Sequence, residues 1–381
     1  MALETLAPGT TQYPLVRASG PARERGRQYG RQVRQRIQNT LSGYADLFMA
    51  YAEIEWPEVR RYGLRYEPII RAHNAELVEE MHGIAEGAGV DFEDVLAINV
   101  RTEVMYGLGE LRAAADCTAF AATPEATANG HTLLGQNWDW HPAAFDCCVV
   151  LAMEQDDRPS FVSVVEAGLL AKMGMNDRGV GVVTNAMVSD KDKGEPGIPY
   201  HVLLRTILNT RDFAEANEAV MLSRRASSAS FLIASKEGKA VDLEVAPGGS
   251  ERVFSVEPSN GVVGHANCFI GETANVVDQT RIKKPLSFTR QIEIDRVLRE
   301  RHGAITADVM KSELASHANK PNSLCRHPIE SLPPIDRSAT VASVVMDLDE
   351  GVSWIADGQP CCHPYRRFEA ADLWGKGGGS Q

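Results

Sequence analysis

The chain has 381 residues, of which 44% are hydrophobic and 24% are charged, and its formal net charge is -12 at pH 7. A chain of this size can bury a large core, and its composition excludes disordered and fibrous proteins. The acidic balance argues against a nucleic-acid partner, which would need a basic face. No run approaches the roughly eighteen apolar residues of a membrane span, and no apolar segment follows a basic start. We therefore expect no membrane association, no secretory signal and a cytoplasmic location.

The cysteines point to a reducing compartment, because their number is odd and they include two adjacent pairs. The seven are Cys117, Cys147, Cys148, Cys268, Cys325, Cys361 and Cys362. A CxxC pair, an HExxH motif and an HxH motif are all missing from the sequence, and His363 beside the last pair is the nearest approach to a metal motif. We therefore expect no metal site and no cofactor.

The first third of the chain predicts three helical segments. Residues 21–53 place apolar side chains every three to four positions, which gives one buried stripe. Residues 69–89 repeat the pattern and end on Gly87 and Gly89, which suit a C-terminal cap. Residues 91–107 begin at Asp91, which predicts an N-cap followed by an acid in the first turn.

After Cys117 the sequence predicts mostly short strands. Residues 117–123 and 131–140 are strand-like and flank an Asn-Gly turn, which indicates a β-hairpin. Two helical pairs interrupt the later strands, one after residue 198 and one before residue 318. This order predicts a single α+β domain over residues 1–381, with stacked sheets and helices outside them. The absence of βαβ alternation and of a GxGxxG turn argues against a dinucleotide-binding fold.

Cys117 stands out because it begins a strand, follows Asp116 and precedes Thr118. A cysteine in a strand is most often a small buried hydrophobe. At a strand's first residue, however, the thiol can attack the carbonyl of Asp116, and hydrolysis of the resulting thioester would cut the chain. The new N-terminal residue would carry both a thiol and an α-amine that titrates near about pH 8. That amine can take the thiol proton, so no histidine base is required.

Six segments around this cysteine resemble the self-cleaving acyl-coenzyme A:6-aminopenicillanic acid (isopenicillin N) acyltransferase family of N-terminal nucleophile (Ntn) hydrolases. The spacing of GQNWD from CTAF is the specific part of the resemblance. Weaker similarities lie at residues 24–30 and 166–186. The six segments are RTEVMYG (101–107), DCTAFAAT (116–123), GQNWDW (135–140), HAN (265–267), SLCRH (323–327) and DRSATV (336–341).

The resemblance implies a four-layer αββα sandwich, in which two stacked antiparallel sheets are flanked by helices. It also implies a zymogen that cuts itself into an α chain of residues 1–116 and a β chain of residues 117–381, which stay associated. The mature protein would be an autoproteolytic cysteine acyltransferase or amidohydrolase acting on amide or thioester bonds of small N-acyl compounds. Acyl-coenzyme A is a possible donor substrate, and a homo-oligomer is possible.

The resemblance also assigns catalytic roles. Cys117 would be the nucleophile for both the cut and acyl transfer, and Asn267 would stabilise the developing oxyanion. Asp139 would orient the new amine or an amine substrate. Arg337 would pair with Asp139 or with a substrate carboxylate. Asp116 stands where the penicillin enzyme has glycine, which leaves the rate and completeness of the cut open.

Four further residues are expected to contact the substrate. We predict that Trp138 and Trp140 face opposite sides of their strand, one packing in the core and the other forming a wall of an acyl pocket. Thr118 and His265 complete the set, and His265 is expected to shape the loop that carries Asn267.

Alternatives remain open. A hydrolase of C–N bonds of the bile-salt (choloylglycine) or penicillin V type shares the N-terminal cysteine, although its mature chain usually begins almost at the start of translation. A non-enzymatic protein would keep Cys117 buried and uncut, and we expect Cys268 and Cys325 to be core residues. A papain-like cysteine–histidine pair has four candidate histidines and no supporting motif. These are His141, His201, His265 and His327.

Overall fold

The computed structural model describes residues 12–108, 116–283, 285 and 287–374. Its α-helices are α1 (Ala22–Gln32), α2 (Arg34–Ala52), α3 (Trp56–Gly63), α4 (Glu67–His73), α5 (Ala75–Ala88), α6 (Phe92–Asn99), α7 (Arg101–Leu108), α8 (Tyr200–Leu208), α9 (Phe213–Met221), α10 (Gln279–Lys283), α11 (Ser287–Arg301), α12 (Ala307–Leu314) and α13 (Ala370–Leu373). Short 3-10 helices cover Leu64–Tyr66, Pro142–Asp146, Ser250–Arg252 and Pro334–Asp336.

The strands form two sheets. The first sheet has eight strands in the order β1-β4-β5-β6-β7-β8-β9-β10. They are β1 (Leu15–Ala18), β4 (Cys148–Met153), β5 (Phe161–Glu166), β6 (Met173–Asn176), β7 (Val180–Ala186), β8 (Ala229–Ser235), β9 (Lys239–Val245) and β10 (Val253–Val256). The second has six strands in the order β11-β2-β3-β12-β13-β14. They are β2 (Asp116–Ala122), β3 (Leu133–Trp140), β11 (Val262–His265), β12 (Ala339–Asp347), β13 (Val352–Ala356) and β14 (Tyr365–Glu369).

The two sheets pack face to face, with helices on their outer faces. Strands β2 and β3 contact β7 across the interface, α2 and α8 cover the first sheet, and α11 and α12 cover the second. A large apolar core fills the interior, and a second cluster lies between the second sheet and its helices, with Phe120 and Ile294 among its members. The predicted α+β class and αββα layer order are confirmed. One pair departs from the antiparallel expectation, because β1 runs parallel to β4.

The predicted helical segments are present, but each is divided. The first divides at Val33, the second at Asn74 and the third at Val100. Gly89 is the C-cap of α5, as predicted, and adopts the left-handed conformation with φ 70°. Gly87 is not a cap; it lies inside α5, where a Cβ atom would overlap the carbonyl oxygen of Arg27 in α1. Its role is close helix packing.

The predicted hairpin is confirmed, since all seven residues of β2 pair antiparallel with residues 133–139 of β3. Gly130 adopts φ 74° in the connection, a conformation that favours glycine. No helix within the described residues is both long and apolar enough to cross a membrane. The division into chains of 1–116 and 117–381 stays a prediction.

Candidate active site

The hairpin brings the GQNWDW segment beside Cys117. Asp116 and Cys117 are the first two residues of β2, an internal strand between β11 and β3. Cys117 lies opposite Trp138 in the ladder, and Asp116 lies opposite Asp139. Because successive side chains alternate between the faces of a sheet, Cys117 points to the core between the sheets and Asp116 points towards α11.

The side chain of Asn267 accepts the hydrogen bond of the Cys117 backbone N–H. Strand β11 ends at His265, which lies opposite Ala119, so no backbone carbonyl of β11 continues alongside Cys117. The Cys117 N–H instead donates to Oδ1 of Asn267 over 2.7 Å. The Asn267 Nδ2 donates to the carbonyl of Ala186 over 2.9 Å. Asn267 thus lies beside the nitrogen of the proposed cut, and its role at the oxyanion stays a prediction.

The side chain of Asp116 is held by cations from two elements. Arg290 of α11 donates from Nη2 to Oδ1 of Asp116 over 2.7 Å, and Arg326 donates to Oδ2. Ser287 adds a hydrogen bond to Oδ1 over 3.2 Å. Arg290 is almost completely buried and also donates to the carbonyl of Cys117. One guanidinium thus contacts both residues that flank the proposed cut.

Neither arginine was predicted. Arg326 lies within the SLCRH segment and could have been selected from it. Arg290 lies in a helix that carries several arginines, so only tertiary packing distinguishes it from them.

Asp139 lies on the same face of the sheet as Asp116 and is completely buried. Its Oδ1 accepts a hydrogen bond from Thr340 over 2.6 Å. Burial raises the pKa of Asp139 to about 7, although Arg290 and Arg326 oppose the shift. A carboxyl group with this pKa can gain or lose a proton near neutral pH.

A buried lysine lies on the core side of the hairpin. The Nζ of Lys172 is 3.4 Å from the ring centroid of Trp138 and 3.7 Å from Oε2 of Glu166. Burial raises the pKa of Cys117 to about 12, and the charge of Lys172 opposes this rise. Burial also lowers the pKa of Lys172, to about 8, against the pull of Glu166. Lys172 belongs to segment 166–186 and was missed because nothing local marks it as facing Cys117.

The two tryptophans were wrongly predicted to face opposite sides. Side chains two residues apart on a strand point to the same face. Trp138 and Trp140 accordingly both pack into the main core, where Trp140 also contacts the ring of Tyr44. Thr118 faces α11 instead, because it neighbours Cys117, and its hydroxyl accepts a hydrogen bond from Arg290 over 3.1 Å.

His265 is fully buried in a polar network between the sheets. Its Nε2 lies 2.9 Å from Oε1 of Glu244, and its Nδ1 lies 2.8 Å from Nδ2 of Asn185. Burial lowers the pKa of His265, but Asp242 and Glu244 outweigh this effect and raise it to about 8. That His265 shapes the Asn267 loop and contacts the substrate stays a prediction.

The predicted pairing of Arg337 with Asp139 is not formed. Arg337 follows the 3-10 helix Pro334–Asp336, and its guanidinium pairs with Glu330 over 2.8 Å. It also donates to the carbonyls of Glu330 and Leu332. These local acceptors hold Arg337 near the surface, and Arg290 and Arg326 are the arginines that the fold brings to the site.

The candidate histidines of a papain-like pair have other partners. His201 contacts Arg101, and His141 contacts Tyr51. His327 lies beside His317 and Cys361. Cys268 and Cys325 are buried, as expected of core residues.

Comparison with known proteins identifies relatives of the chain. The model of the family described as acyl-coenzyme A:6-aminopenicillanic acid acyl-transferase matches residues 126–360. The acyl-coenzyme A:6-aminopenicillanic-acid-acyltransferase 40 kDa form of Emericella nidulans is 26% identical over 333 residues, which are 87% of this chain and 89% of that protein. An uncharacterized protein of Archaeoglobus fulgidus is 26% identical over 196 residues, which are 44% of this chain and 32% of that protein.

Two kinds of solved structure are also similar. A mutant of the conjugated bile acid hydrolase from Clostridium perfringens has a TM-score of 0.39 and 14% identity, and covers 66% of this chain and 96% of its own. The penicillin V acylase from Agrobacterium tumefaciens has a TM-score of 0.38 and 13% identity, and covers 68% of this chain and 88% of its own.

Proposed function

Because the chain belongs to the acyl-coenzyme A:6-aminopenicillanic acid acyl-transferase family, we propose that it transfers acyl groups through a thioester on Cys117. The observation that carries the proposal is the placement of Cys117 at the start of a buried strand, where its backbone N–H donates a hydrogen bond to Asn267. The substrate is an amide or thioester of a small N-acyl compound, with acyl-coenzyme A as a possible donor. The acceptor is an amine in a transferase and water in an amidohydrolase.

The first reaction is the cut between Asp116 and Cys117. The Cys117 sulfur attacks the carbonyl carbon of Asp116, a C–S bond forms, the C–N bond breaks, and the Cys117 nitrogen takes a proton. Water then hydrolyses the thioester, leaving a carboxylate on Asp116 and a free thiol on Cys117. The contacts of Arg290 with both residues support this step, because they hold the two sides of the bond in one geometry.

The cut creates the base that the later reaction needs. Before it, the Cys117 nitrogen is an amide, and burial keeps the pKa of the thiol at about 12, so the thiol holds its proton. Afterwards the nitrogen is an amine with an ordinary pKa of about 8, which takes the thiol proton near neutral pH. The positive charge of Lys172 favours the thiolate.

Acyl transfer then proceeds in two halves. The thiolate attacks the acyl carbon, the leaving amine or thiol takes the proton held by the Cys117 amine, and the acyl group remains on sulfur. An acceptor amine or water then attacks the thioester and releases the thiol. We assign Asn267 to the oxyanion side of this reaction from the family resemblance. In the uncut chain its Oδ1 accepts from the Cys117 N–H and its Nδ2 donates to the carbonyl of Ala186, so this Nδ2 would have to turn to the oxyanion.

Departure of the new chain end would leave an anion site. Arg290 and Arg326 both hold the Asp116 carboxylate before the cut. Without it, a substrate carboxylate can take the same guanidinium groups, or Asp139 can pair with them. Oδ2 of Asp139 has no hydrogen-bond partner among the described residues and is available for an amine or an arginine.

The cut is tested by the intact mass of the purified protein under denaturing conditions. We expect two chains, of residues 1–116 and 117–381, and a single chain for Cys117→Ala. Cys147→Ala is the matched control, because it also removes a buried thiol and leaves the proposed bond intact. A single wild-type chain that is nevertheless active would refute the amine-base mechanism, and a single inactive chain would favour the non-enzymatic alternative.

One assay distinguishes acyl transfer to an amine from acyl transfer to water. The cleaved protein is mixed with a series of acyl-coenzyme A thioesters and N-acyl amino compounds, with and without an added amine. A transferase yields the amide of the added amine, whereas a hydrolase yields free acid whether or not the amine is present. Absence of both products, across a broad acyl series, would count against the proposed activity.

We place the enzyme in the reducing cytoplasm, a proposal supported by its seven free cysteines.

A further inference from the structure

Two cysteines and two histidines from three separate segments converge outside the catalytic centre. His317 follows α12, Cys325 and His327 flank Arg326, and Cys361 lies in the turn after β13. One side-chain nitrogen or sulfur of each of these residues lies within 4.8 Å of those of the other three. Cys325 is fully buried, whereas Cys361 is exposed, so the cluster can be reached from solvent.

Three distances within this cluster lie at or within a few tenths of an ångström of those around a tetrahedral ion. Zinc bonds of about 2.0 to 2.3 Å to imidazole nitrogen and thiolate sulfur place tetrahedral ligand atoms roughly 3.3 to 3.8 Å apart. The Nε2 atoms of His317 and His327 are 3.1 Å apart. Nε2 of His327 is 3.2 Å from Sγ of Cys361 and 3.7 Å from Sγ of Cys325. Two thiolates and two imidazoles are the donor set that favours zinc.

The polypeptide holds the ligands in place before any ion binds. The Cys325 N–H donates to the carbonyl of Ser316 over 3.0 Å, which ties the segment to the end of α12. Asn137 of β3 donates to the carbonyl of Leu324 over 2.8 Å. The Leu324 carbonyl and the Cys325 N–H belong to one peptide group, which is therefore fixed both to the end of α12 and to the strand that also carries Asp139.

We propose that His317, Cys325, His327 and Cys361 bind one Zn²⁺ ion in tetrahedral geometry. The ion would fix the backbone on both sides of Arg326. The backbone N–H of Arg326 donates to Oγ1 of Thr340 over 2.8 Å, and its guanidinium donates to the Asp116 carboxylate. Zinc at this position would thus be structural and would position an arginine at the cut, a role that rests on the proposed function. This proposal departs from the expectation of no metal site, which rested on local motifs, whereas Cys361 lies 34 residues after His327.

Metal content tests the site directly. The Cys117→Ala protein is used, so that the result does not depend on cleavage. It is expressed with added zinc and dialysed against a weak chelator, and its metal is measured by mass spectrometry. We expect about one zinc ion per chain. Cys361→Ser and His317→Ala, each added to this background, should lose that zinc.

Cys362→Ser is the matched control, because Cys362 is adjacent in sequence but its sulfur faces the carbonyl of Gln359 and Nδ1 of His363. It should keep its zinc. Equal zinc content in Cys361→Ser and Cys362→Ser would overturn the site. Absence of zinc from the Cys117→Ala protein, which keeps all four ligands, would overturn it as well. A Cys325–Cys361 disulfide, seen as a mass lower by two hydrogens, would also overturn it. Replacement of zinc by Co²⁺ should give the visible absorption of a tetrahedral thiolate site.

The positioning role has a separate test. The full chain with Cys117 intact is synthesised in a cell-free system with Zn²⁺ or with a chelator, and cleavage is followed by mass. We expect several-fold slower cleavage with the chelator for wild type and Cys362→Ser. Cys361→Ser should be slow in both conditions. Equal cleavage rates of the wild-type chain with Zn²⁺ and with the chelator would overturn the positioning role. Cys117→Ala should not be cleaved in either condition, and this result reports only on the nucleophile.

Discussion

At the scale of single residues, the site depends on how one buried guanidinium distributes its donors. Arg290 contacts the side chain of Asp116, the carbonyl of Cys117, the hydroxyl of Thr118 and Oδ1 of Asn267. The planar fork of arginine allows this, whereas the single ammonium of lysine cannot satisfy the same acceptors. Its loss would remove one of the two arginines that hold the buried Asp116 carboxylate.

We therefore expect Arg290→Lys to slow self-cleavage. Hydrogen bonds to charged groups contribute about 1.5 to 3 kcal/mol, which corresponds to a rate roughly 10- to 100-fold lower if they are needed at the transition state. Cleavage is followed by intact mass during cell-free synthesis. Arg296→Lys, in the same helix but partly exposed, is the control and should cleave normally. Equal rates for the two variants would contradict the positioning role of Arg290.

Replacement of Lys172 should change the pH profile of the cleaved enzyme. Its positive charge lowers the pKa of Cys117, so Lys172→Met should raise the pKa of the thiol. The increase of kcat/KM with pH would then move to higher pH, by roughly one unit. Because Lys172 itself has a pKa of about 8, its help is greatest below that pH. The measurement is kcat/KM from pH 6 to 10.

Lys239→Met is the control for this profile, because Lys239 is exposed and pairs with Glu237. An unchanged profile in Lys172→Met would show that the lysine has no electrostatic influence on the thiol. A lower kcat/KM at every pH, without a shift, would assign Lys172 to packing instead.

At the scale of the elements, glycines decide how closely α1 and α5 approach. A Cβ atom on Gly26 would overlap the carbonyl oxygen of Glu80, and one on Gly30 would overlap that of Ile84. Backbone cannot move aside as a flexible side chain does. The two helices therefore pack at a distance that only glycine permits, which explains the glycines in segment 24–30.

Gly26→Ala should destabilise the protein by about 1 to 3 kcal/mol or more, because overpacking against backbone forces the helices apart. Gly43→Ala is the control: no atom lies within 4 Å of its added Cβ, and alanine favours the helix by up to about 1 kcal/mol. Both are measured by chemical denaturation in the Cys117→Ala chain, which stays in one piece. A Gly26→Ala variant as stable as its parent would show that α1 and α5 adjust freely.

Helices and hairpins could be predicted from the sequence, whereas contacts between distant segments could not. The periodicity of residues 21–53 and the Asn-Gly turn at Gly130 are local signals, so the helices and the β2–β3 hairpin could be predicted. The pairing of β1 with β4 could not, since it joins segments far apart in the chain. Motifs selected Cys117 and Asn267 as candidates, and the fold brings these two residues together. Arg290 and Lys172 were not, because only the packing of α11 and of the first sheet brings them to Cys117.

At the scale of the whole molecule, a buried ion cluster joins the regions before and after the proposed cut. Glu80 of α5 accepts hydrogen bonds from Arg25 of α1 and Arg205 of α8, and its carboxylate is completely buried. Burial raises the pKa of Glu80, but the two arginines outweigh this effect and lower it. Glu80 is therefore ionised in the folded protein at neutral pH.

Glu80→Gln should cost about 3 to 5 kcal/mol of folding free energy, because it leaves two buried guanidinium groups without their carboxylate. Glu79→Gln, one residue away and partly exposed, should change stability by no more than about 0.5 kcal/mol. Denaturant titrations of both variants in the Cys117→Ala chain make the comparison. A similarly small effect of Glu80→Gln would mean that the cluster does not hold α1, α5 and α8 together.

The parallel pairing of β1 with β4 also has a thermodynamic consequence. This ladder joins residues 15–18 to residues 150–153, on opposite sides of the proposed cut. Before the cut, unfolding releases one molecule, and its midpoint is independent of protein concentration. After the cut, unfolding releases two molecules, so mass action makes the melting temperature of the cleaved protein rise with its concentration. Dilution alone would then weaken the mature enzyme and leave its precursor unaffected.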